Sequence, residues 1–208
     1  MFFETLPTSA QRIFARLGRE PSVRPFYLAG GSACALQLGH RISVDLDFFA
    51  PEMYELAQLV PRLEKIGKVT IQQQSRGTFV GLLANTQISF FYYGYPLLQP
   101  PTLFRGVRIA SLLDIALMKI TAISQRGRKR DFVDLYFICQ KGYALDDLLK
   151  RIPEKYSALS YPSYHLLRAL TYFDDAEKDP PPKMLTRCDW RQVKRFFEKR
   201  ARALMREI

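Results

Sequence analysis

Two short clusters in this 208-residue chain combine residue types suited to a phosphorylated substrate. The first is Gly30-Gly31-Ser32, preceded by Pro25-Phe26-Tyr27-Leu28-Ala29 and followed by the small, apolar stretch Ala33 to Leu38. A buried strand entering a glycine turn, with serine opening a helix, exposes backbone N–H groups at a helix N-terminus. Both the dipole and the free donors favour a phosphate there. Two glycines let the chain approach a ligand closely, and the Ser32 hydroxyl adds a donor. The second cluster is Asp45-Leu46-Asp47. Residues two apart on a strand project from one face, so Asp45 and Asp47 stand together while Leu46 and Phe48 turn to the core. Carboxylates about 6–7 Å apart along a strand repel each other unless a cation lies between them. Mg²⁺ takes a few carboxylates together with phosphate oxygens and water. The pair therefore suits Mg²⁺ held against a nucleoside triphosphate delivered by the glycine turn. Neither cluster is specific alone; their order in the chain is what makes them so.

The elements that must position these groups can be read from pattern. An opening helix starts at Thr8-Ser9-Ala10 and ends near Gly18, and a compact helix over 32–38 stops at Gly39. Val44 to Phe49 reads as a strand, followed by a helix over 53–66 that Pro61 kinks or splits. Val69–Gln74, Thr78–Leu83 and Gln87–Tyr93 alternate as strands joined by tight turns, and Val107–Ile109 closes the sheet. Ser111 with Asp114 three residues on is a capping-box variant opening a helix with Leu113, Ala116, Leu117 and Ile120 on one face. Further helices are predicted over 130–140, 145–152, 164–173 and 189–207, with Asp179-Pro-Pro-Pro-Lys183 as a stiff linker. The expected class is α+β: a mixed α/β core over 1–110 and a helical region over 111–208.

Strand, Gly-Gly-Ser, helix and Asp-x-Asp on a second strand, with Arg41 and Ser43 just before the pair, resembles the DNA polymerase β-like nucleotidyltransferase superfamily. Ala29-Gly-Gly-Ser32 and Arg41-Ile-Ser-Val-Asp-Leu-Asp-Phe-Phe49 are similar to the AbiEii/AbiGii toxin family of bacterial toxin–antitoxin and phage-defence systems. A second block agrees, with Lys119 in an apolar helical segment and Arg130-Asp131-Phe-Val-Asp134-Leu135 after it. The resemblance implies Gly30, Gly31, Ser32, Arg41 and Ser43 around the substrate, Lys119 near the triphosphate, and Asp131 or Asp134 as a further catalytic carboxylate. Relatives commonly place that carboxylate on a later strand. The matching strand here, Thr86 to Tyr93, has no acid, and Ser89 stands in its place. Asp131 or Asp134 then supplies the charge, or the reaction is slow, single-metal or lost. The residues themselves also allow a structural use: a buried lysine wants a partner, and Asp131 and Asp134 share a helix face on which arginines can pair with them.

Lys and Arg outnumber Asp and Glu 31 to 20, a formal charge of +11 that favours a polyanionic partner. Arg126-Gly-Arg-Lys-Arg130 carries four charges in five residues. The terminal helix adds Arg187, Arg191, Lys194, Arg195, Lys199, Arg200, Arg202 and Arg206, with 187, 191, 194, 195 and 202 mainly on one side. The family points to RNA, tRNA included, as the polyanion; a solvated helix face is the plain alternative. Phe90, Phe91, Tyr92, Tyr93 and Tyr95 alternate on a predicted strand and read as core packing rather than base stacking. His40 and His165, without a ligand-spaced companion, read as structural or surface groups. Cys34, Cys139 and Cys188 lack zinc-type spacing and read as reduced. No apolar run reaches membrane-spanning length, the N-terminus lacks a secretory pattern, and a cytoplasmic location is expected. Three functions follow: a Mg²⁺-dependent nucleotidyltransferase acting on RNA with a cognate antitoxin, a catalytically impaired module that binds nucleotide, RNA or protein, and a small-molecule modifier.

Overall fold

The computed structural model describes residues 1–157 and 162–206. Its centre is a mixed seven-stranded sheet with helices packed around it, the α+β class expected. In chain order, α1 (Thr8–Leu17) leads to β1 (Tyr27–Leu28), α2 (Gly30–Leu38), β2 (Leu46–Ala50) and α3 (Leu56–Ile66). A meander follows, β3 (Val69–Ser75), β4 (Thr78–Leu83) and β5 (Thr86–Tyr92), and then the hairpin β6 (Thr102–Phe104) and β7 (Val107–Ile109). Helices α4 (Leu112–Arg126), α5 (Lys129–Gln140), α6 (Leu145–Lys150), α7 (Ile152–Lys155), α8 (Ser163–Ala169), α9 (Asp174–Lys178) and α10 (Trp190–Leu204) complete the described chain. The strand order is β3-β4-β5-β2-β1-β7-β6, with β2 parallel to β5 and β1 parallel to β7.

Alternation in β2 and β5 decides which residues reach the site. Leu46, Phe48 and Ala50 are buried, and Phe48 stacks on Phe90 of β5 with centroids 5.0 Å apart. The opposite face carries Asp47, Phe49, Ser89 and Phe91. The strand starts at Leu46 rather than Val44, which is 53% exposed. Helix α2 differs from expectation in its first turn. Ala29 is its N-cap, so both glycines belong to the helix and do not form a turn before it. Pro61 sits on the exposed side of α3, which continues through it unsplit and begins at Leu56.

Several boundaries move for local reasons. The helix expected over 145–152 divides at Arg151, because Pro153 opens α7 in its first turn, where a missing N–H costs nothing. The helix expected to reach Phe173 ends at Ala169, and α9 follows separately. Strand β6 and helix α9, three and five residues long, are too short to leave a periodic signal. Asp189 caps α10 by accepting from the Arg191 N–H at 2.9 Å; the expected end at Glu207 lies outside the described residues.

The Ser111 cap holds, with its hydroxyl accepting from the Asp114 N–H at 3.0 Å. Asp114 does more than cap. Its carboxylate accepts from Leu98 N, Gln99 N, Ser111 Oγ and Lys155 Nζ, and Lys155 also donates to the Pro96 carbonyl at 2.7 Å. Both side chains are fully buried, and burial pulls the Lys155 pKa down against the Asp114 charge. The pair ties the Pro96–Gln99 segment and α7 to α4. Lys155→Ala leaves a buried carboxylate without its counter-ion, so it is expected to lower unfolding free energy by about 3–5 kcal/mol in a denaturant titration. A change below about 1 kcal/mol would show the pair to be dispensable.

The proline-rich stretch leaves α9 with Asp179 extended, and it is anchored rather than loose. Asp179 accepts from the Lys129 N–H at 2.9 Å and from Arg128 at 3.2 Å. Lys183 O accepts from Ile42 N at 2.8 Å, and His40 O accepts from Leu185 N at 2.9 Å. This strap therefore braces the His40–Ile42 segment against the helices.

Candidate active site

Helix α2, strands β2 and β5, and helices α4 and α5 enclose a cleft of about 660 Å³. Gly30, Gly31, Arg41, Ser43, Asp45, Asp47, Lys119, Arg126, Arg130 and Asp131 all line it, although they come from widely separated parts of the chain. Close packing explains the two glycines. Gly30 has φ +66°, and a β-carbon there would come within 3.3 Å of Asp47 Oδ2. A β-carbon on Gly31 would collide with the Arg41 guanidinium and sit 3.1 Å from Ser43 Oγ. Asp47 and Ser89 are direct partners in the β2–β5 ladder, so the serine does occupy the position beside the acid. Burial raises the Asp47 pKa, the neighbouring Asp45 charge adds to it, and the Ser89 hydroxyl, Lys119 and Arg130 pull against them. Arg130 approaches Asp45 Oδ2 at 3.5 Å, with half its side chain exposed.

Behind the cleft lies a cluster of buried charges. Asp131 and Asp134, one turn apart on α5, share Lys119 of α4, whose Nζ sits 2.6 Å from Asp131 Oδ1 and 2.7 Å from Asp134 Oδ2. Asp134 also receives Arg41 Nε at 2.6 Å, Arg41 Nη2 at 2.8 Å and His40 Nε2 at 2.8 Å. Burial pushes the Asp134 carboxyl up. Arg41 and Lys119 outweigh this, with hydrogen bonds from Arg41 and His40, and hold it well below the usual carboxylate range. Burial likewise pulls Lys119 down, but the two aspartates more than compensate and its pKa is raised. Asp134 is fully buried and does not line the cleft. Asp131 lines it, and its Oδ2 is buried with no hydrogen-bond partner among the described residues. Arg126 Nε stands 3.6 Å from that oxygen.

Ser32 is also withdrawn from the cleft. It is 1% exposed, and its hydroxyl donates to the Asp45 carbonyl, so it holds the segment carrying Asp45 against α2. Arg41 reaches the cleft wall, but its guanidinium is committed to Asp134 and to the Ile42 carbonyl. His40, read from sequence as structural or surface, is buried in that same cluster, and no ligand-type spacing announced it. His165 is exposed. The aromatic residues Phe49, Phe91, Tyr93, Tyr95 and Tyr156 line the cleft as well. For Phe49 and Phe91 the signal was available, since they share strand parity with Asp47 and Ser89.

The donor set fits a hard divalent cation at Asp45 and Asp47: two carboxylates on one wall, the Asp131 carboxylate in the same cleft, and room for phosphate oxygens and water. Cys34, His40 and Asp134 also converge, but they do not fit a metal. Arg41 and Lys119 already occupy both Asp134 oxygens, and burial holds the Cys34 thiol well up, against the thiolate a metal needs.

The basic residues divide by partner. Arg126 and Arg130 face the cleft, while Arg128 and Lys129 bind Asp179. On α10, Val193, Phe197 and Ala201 are buried, and the exposed Arg191, Arg195, Lys199 and Arg202 recur at three- to four-residue intervals on the opposite side. Lys194 leaves that stripe to bind Glu177 at 2.6 Å. No described helix is long and apolar enough to cross a membrane.

A mixed sheet whose Asp-x-Asp strand meets a glycine-opened helix at one charged cleft is the arrangement of a nucleotidyltransferase fold. The model of the AbiEii nucleotidyl transferase toxin family, of type IV toxin–antitoxin systems, matches residues 12–203, and the chain belongs to that family. An uncharacterised protein of Aquifex aeolicus is 37% identical over 182 residues, covering 85% of this chain and 86% of its own. Among solved structures, MenT4, a nucleotidyltransferase toxin of Mycobacterium tuberculosis, superposes with a TM-score of 0.55 at 14% identity, over 94% of this chain and 84% of that one. A candidate nucleotidyltransferase of H. pylori gives a TM-score of 0.52 at 16% identity, over 95% and 92%. At these identities the structural likeness concerns the fold alone.

Proposed function

We propose that this chain transfers a nucleotide from a nucleoside triphosphate to an RNA acceptor such as tRNA, as the toxin component of a toxin–antitoxin or phage-defence pair. The observation that carries this reading is the convergence of Asp45, Asp47, Lys119 and Asp131 on one cleft. Asp45 and Asp47 would hold Mg²⁺, which when bound neutralises polyphosphate charge and polarises the α-phosphorus. The backbone N–H groups that open α2 grip the outer phosphates, and Arg130 and Arg126 add charge at the mouth. The acceptor hydroxyl oxygen bonds to the α-phosphorus as the bond to pyrophosphate breaks. Asp131 takes the hydroxyl proton, and Lys119 offsets the charge on the leaving pyrophosphate. Asp134, Arg41, His40 and Ser32 position these groups from behind. Work of this kind belongs in the cytoplasm, beside a cognate antitoxin.

The stripe on α10 supports RNA as the acceptor. Arg195→Glu combined with Arg202→Glu is expected to weaken RNA binding and to reduce its salt dependence by about two counter-ions, leaving NTP affinity unchanged. An unaltered salt slope would remove α10 from the RNA surface. Ser89 beside Asp47, where an acid is usual, favours a second reading: a non-catalytic module that binds nucleotide, RNA or a partner protein. Incubation with Mg²⁺, each α-labelled NTP and bulk tRNA separates the two. Label in the RNA supports transfer, and no label with any NTP or acceptor supports the module.

A further inference from the structure

The cleft changes character along its length. Asp45, Asp47, Lys119 and Asp131 occupy its charged end, whereas the other wall is aromatic. Strands β2 and β5 run parallel and in register, so the Asp47–Ser89 pair is followed on the same face by Phe49 and Phe91. Tyr93 continues this line past the end of β5, its N–H on the Ala50 carbonyl at 2.7 Å. The rings therefore stand about 6–13 Å from Asp47 along the strand direction.

Core packing accounts for Phe48 and Phe90, which are fully buried on the other face of the same strands. It accounts less well for Phe49, Phe91, Tyr93 and Tyr95, which are only half-buried and open onto the cleft. Phe49 lies 5.5 Å from Phe91 and 5.4 Å from Tyr93, Tyr93 lies 4.9 Å from Tyr95, and Tyr95 lies 4.8 Å from Tyr156. Mostly edge-on contacts of this kind make a stiff wall. At its floor the Tyr93 and Tyr156 hydroxyls are 2.7 Å apart, and Tyr156 Oη is 3.3 Å from Thr121 Oγ1. Helix α4 lines the same cleft with Met118, Thr121, Ala122 and Gln125, of which Thr121 and Ala122 are small. None of these wall residues is charged.

We propose that this aromatic end is the nucleoside subsite, stacking the base of the NTP whose phosphates lie at Asp45 and Asp47. The assignment rests on the nucleotidyl-transfer reading above. An uncharged, ring-lined region continuous with a phosphate-binding end matches a single nucleotide. The cation stripe suited to an RNA backbone stands outside it on α10, while Arg126 and Arg130 stand at the charged end of the cleft. Removing one base–aromatic stack weakens binding by about 5–150-fold.

Calorimetric titration of the full chain with Mg²⁺, without acceptor, compares each NTP with inorganic tripolyphosphate. Tyr95→Ala removes a ring, whereas Ala122→Phe adds bulk to the cleft from α4 and leaves the rings intact. Both are expected to lower NTP affinity about tenfold or more and to leave tripolyphosphate affinity within about twofold. Tyr95→Phe keeps the ring and is expected to match the parent. Unchanged NTP affinity in both variants overturns the subsite while nucleotidyl transfer stands, and reassigns the rings to the acceptor. Equal losses for tripolyphosphate overturn it as well, as a collapsed cleft rather than a lost stack. A parent protein that binds neither probe overturns the proposed function and the subsite with it.

Discussion

Replacing Asp45 and Asp47 together by alanine is expected to lower nucleotide transfer by at least about 10³-fold without unfolding the protein. Two carboxylates crowd one wall of the cleft, and the Asp47 pKa is raised by burial and then by the Asp45 charge. With no cation present that arrangement costs stability, so the double variant is expected to unfold at a temperature no lower than the parent. Added Mg²⁺ should raise the parent's midpoint and leave the variant's unchanged, because a ligand that binds only the folded state stabilises it. Transfer that survives the double substitution would place the chemistry elsewhere. A large fall in the midpoint would show that the pair serves the fold first.

The opposite balance is expected at Asp134. Its two oxygens receive Arg41, His40 and Lys119, all buried, from two different parts of the chain. Asp134→Ala leaves Arg41 and Lys119 facing each other without their shared anion. A stability loss of about 3–5 kcal/mol or more follows, roughly 10 °C in midpoint. The pH dependence has a definite sign. The folded pKa of Asp134 lies below its unfolded value, so its contribution is present above the unfolded carboxylate pKa. It declines as pH falls below the unfolded value and is gone once pH has fallen through the lowered folded value. The parent should therefore keep this stability through mild acid, and the variant should lack it at every pH above that window. Asp131→Asn is the informative contrast. Lys119 keeps Asp134, and the lost Oδ2 had no hydrogen-bond partner among the described residues, so transfer should fall far more than stability. Equal stability losses at 131 and 134 would contradict the division of labour between them.

Much of this site was legible because its determinants are local. Strand parity alone put Asp47 on one face and Phe48 on the other, and Gly39 marked where α2 would end. Ser111 announced the start of α4. Roles that depend on long-range pairing were not legible. Ser32 looked like a free phosphate donor, yet its partner is the Asp45 carbonyl thirteen positions on. Asp131 and Asp134 looked equivalent at i and i+3. Only the approach of Arg41 and His40 from the segment before β2 buries one and leaves the other at the cleft. The proline strap that braces that segment read as a linker, because its composition shows stiffness but not what it docks against. Aromatic residues after Ser89 were assigned to the core as a group, although their alternation already divided Phe90 from Phe91.

The most direct test follows the phosphorus. Parallel reactions with α-labelled and γ-labelled NTP, Mg²⁺ and tRNA should place only the α label in the RNA and release pyrophosphate in equal amount. Label from the γ position, or RNA unlabelled by either with no pyrophosphate released, would contradict nucleotidyl transfer at Asp45 and Asp47.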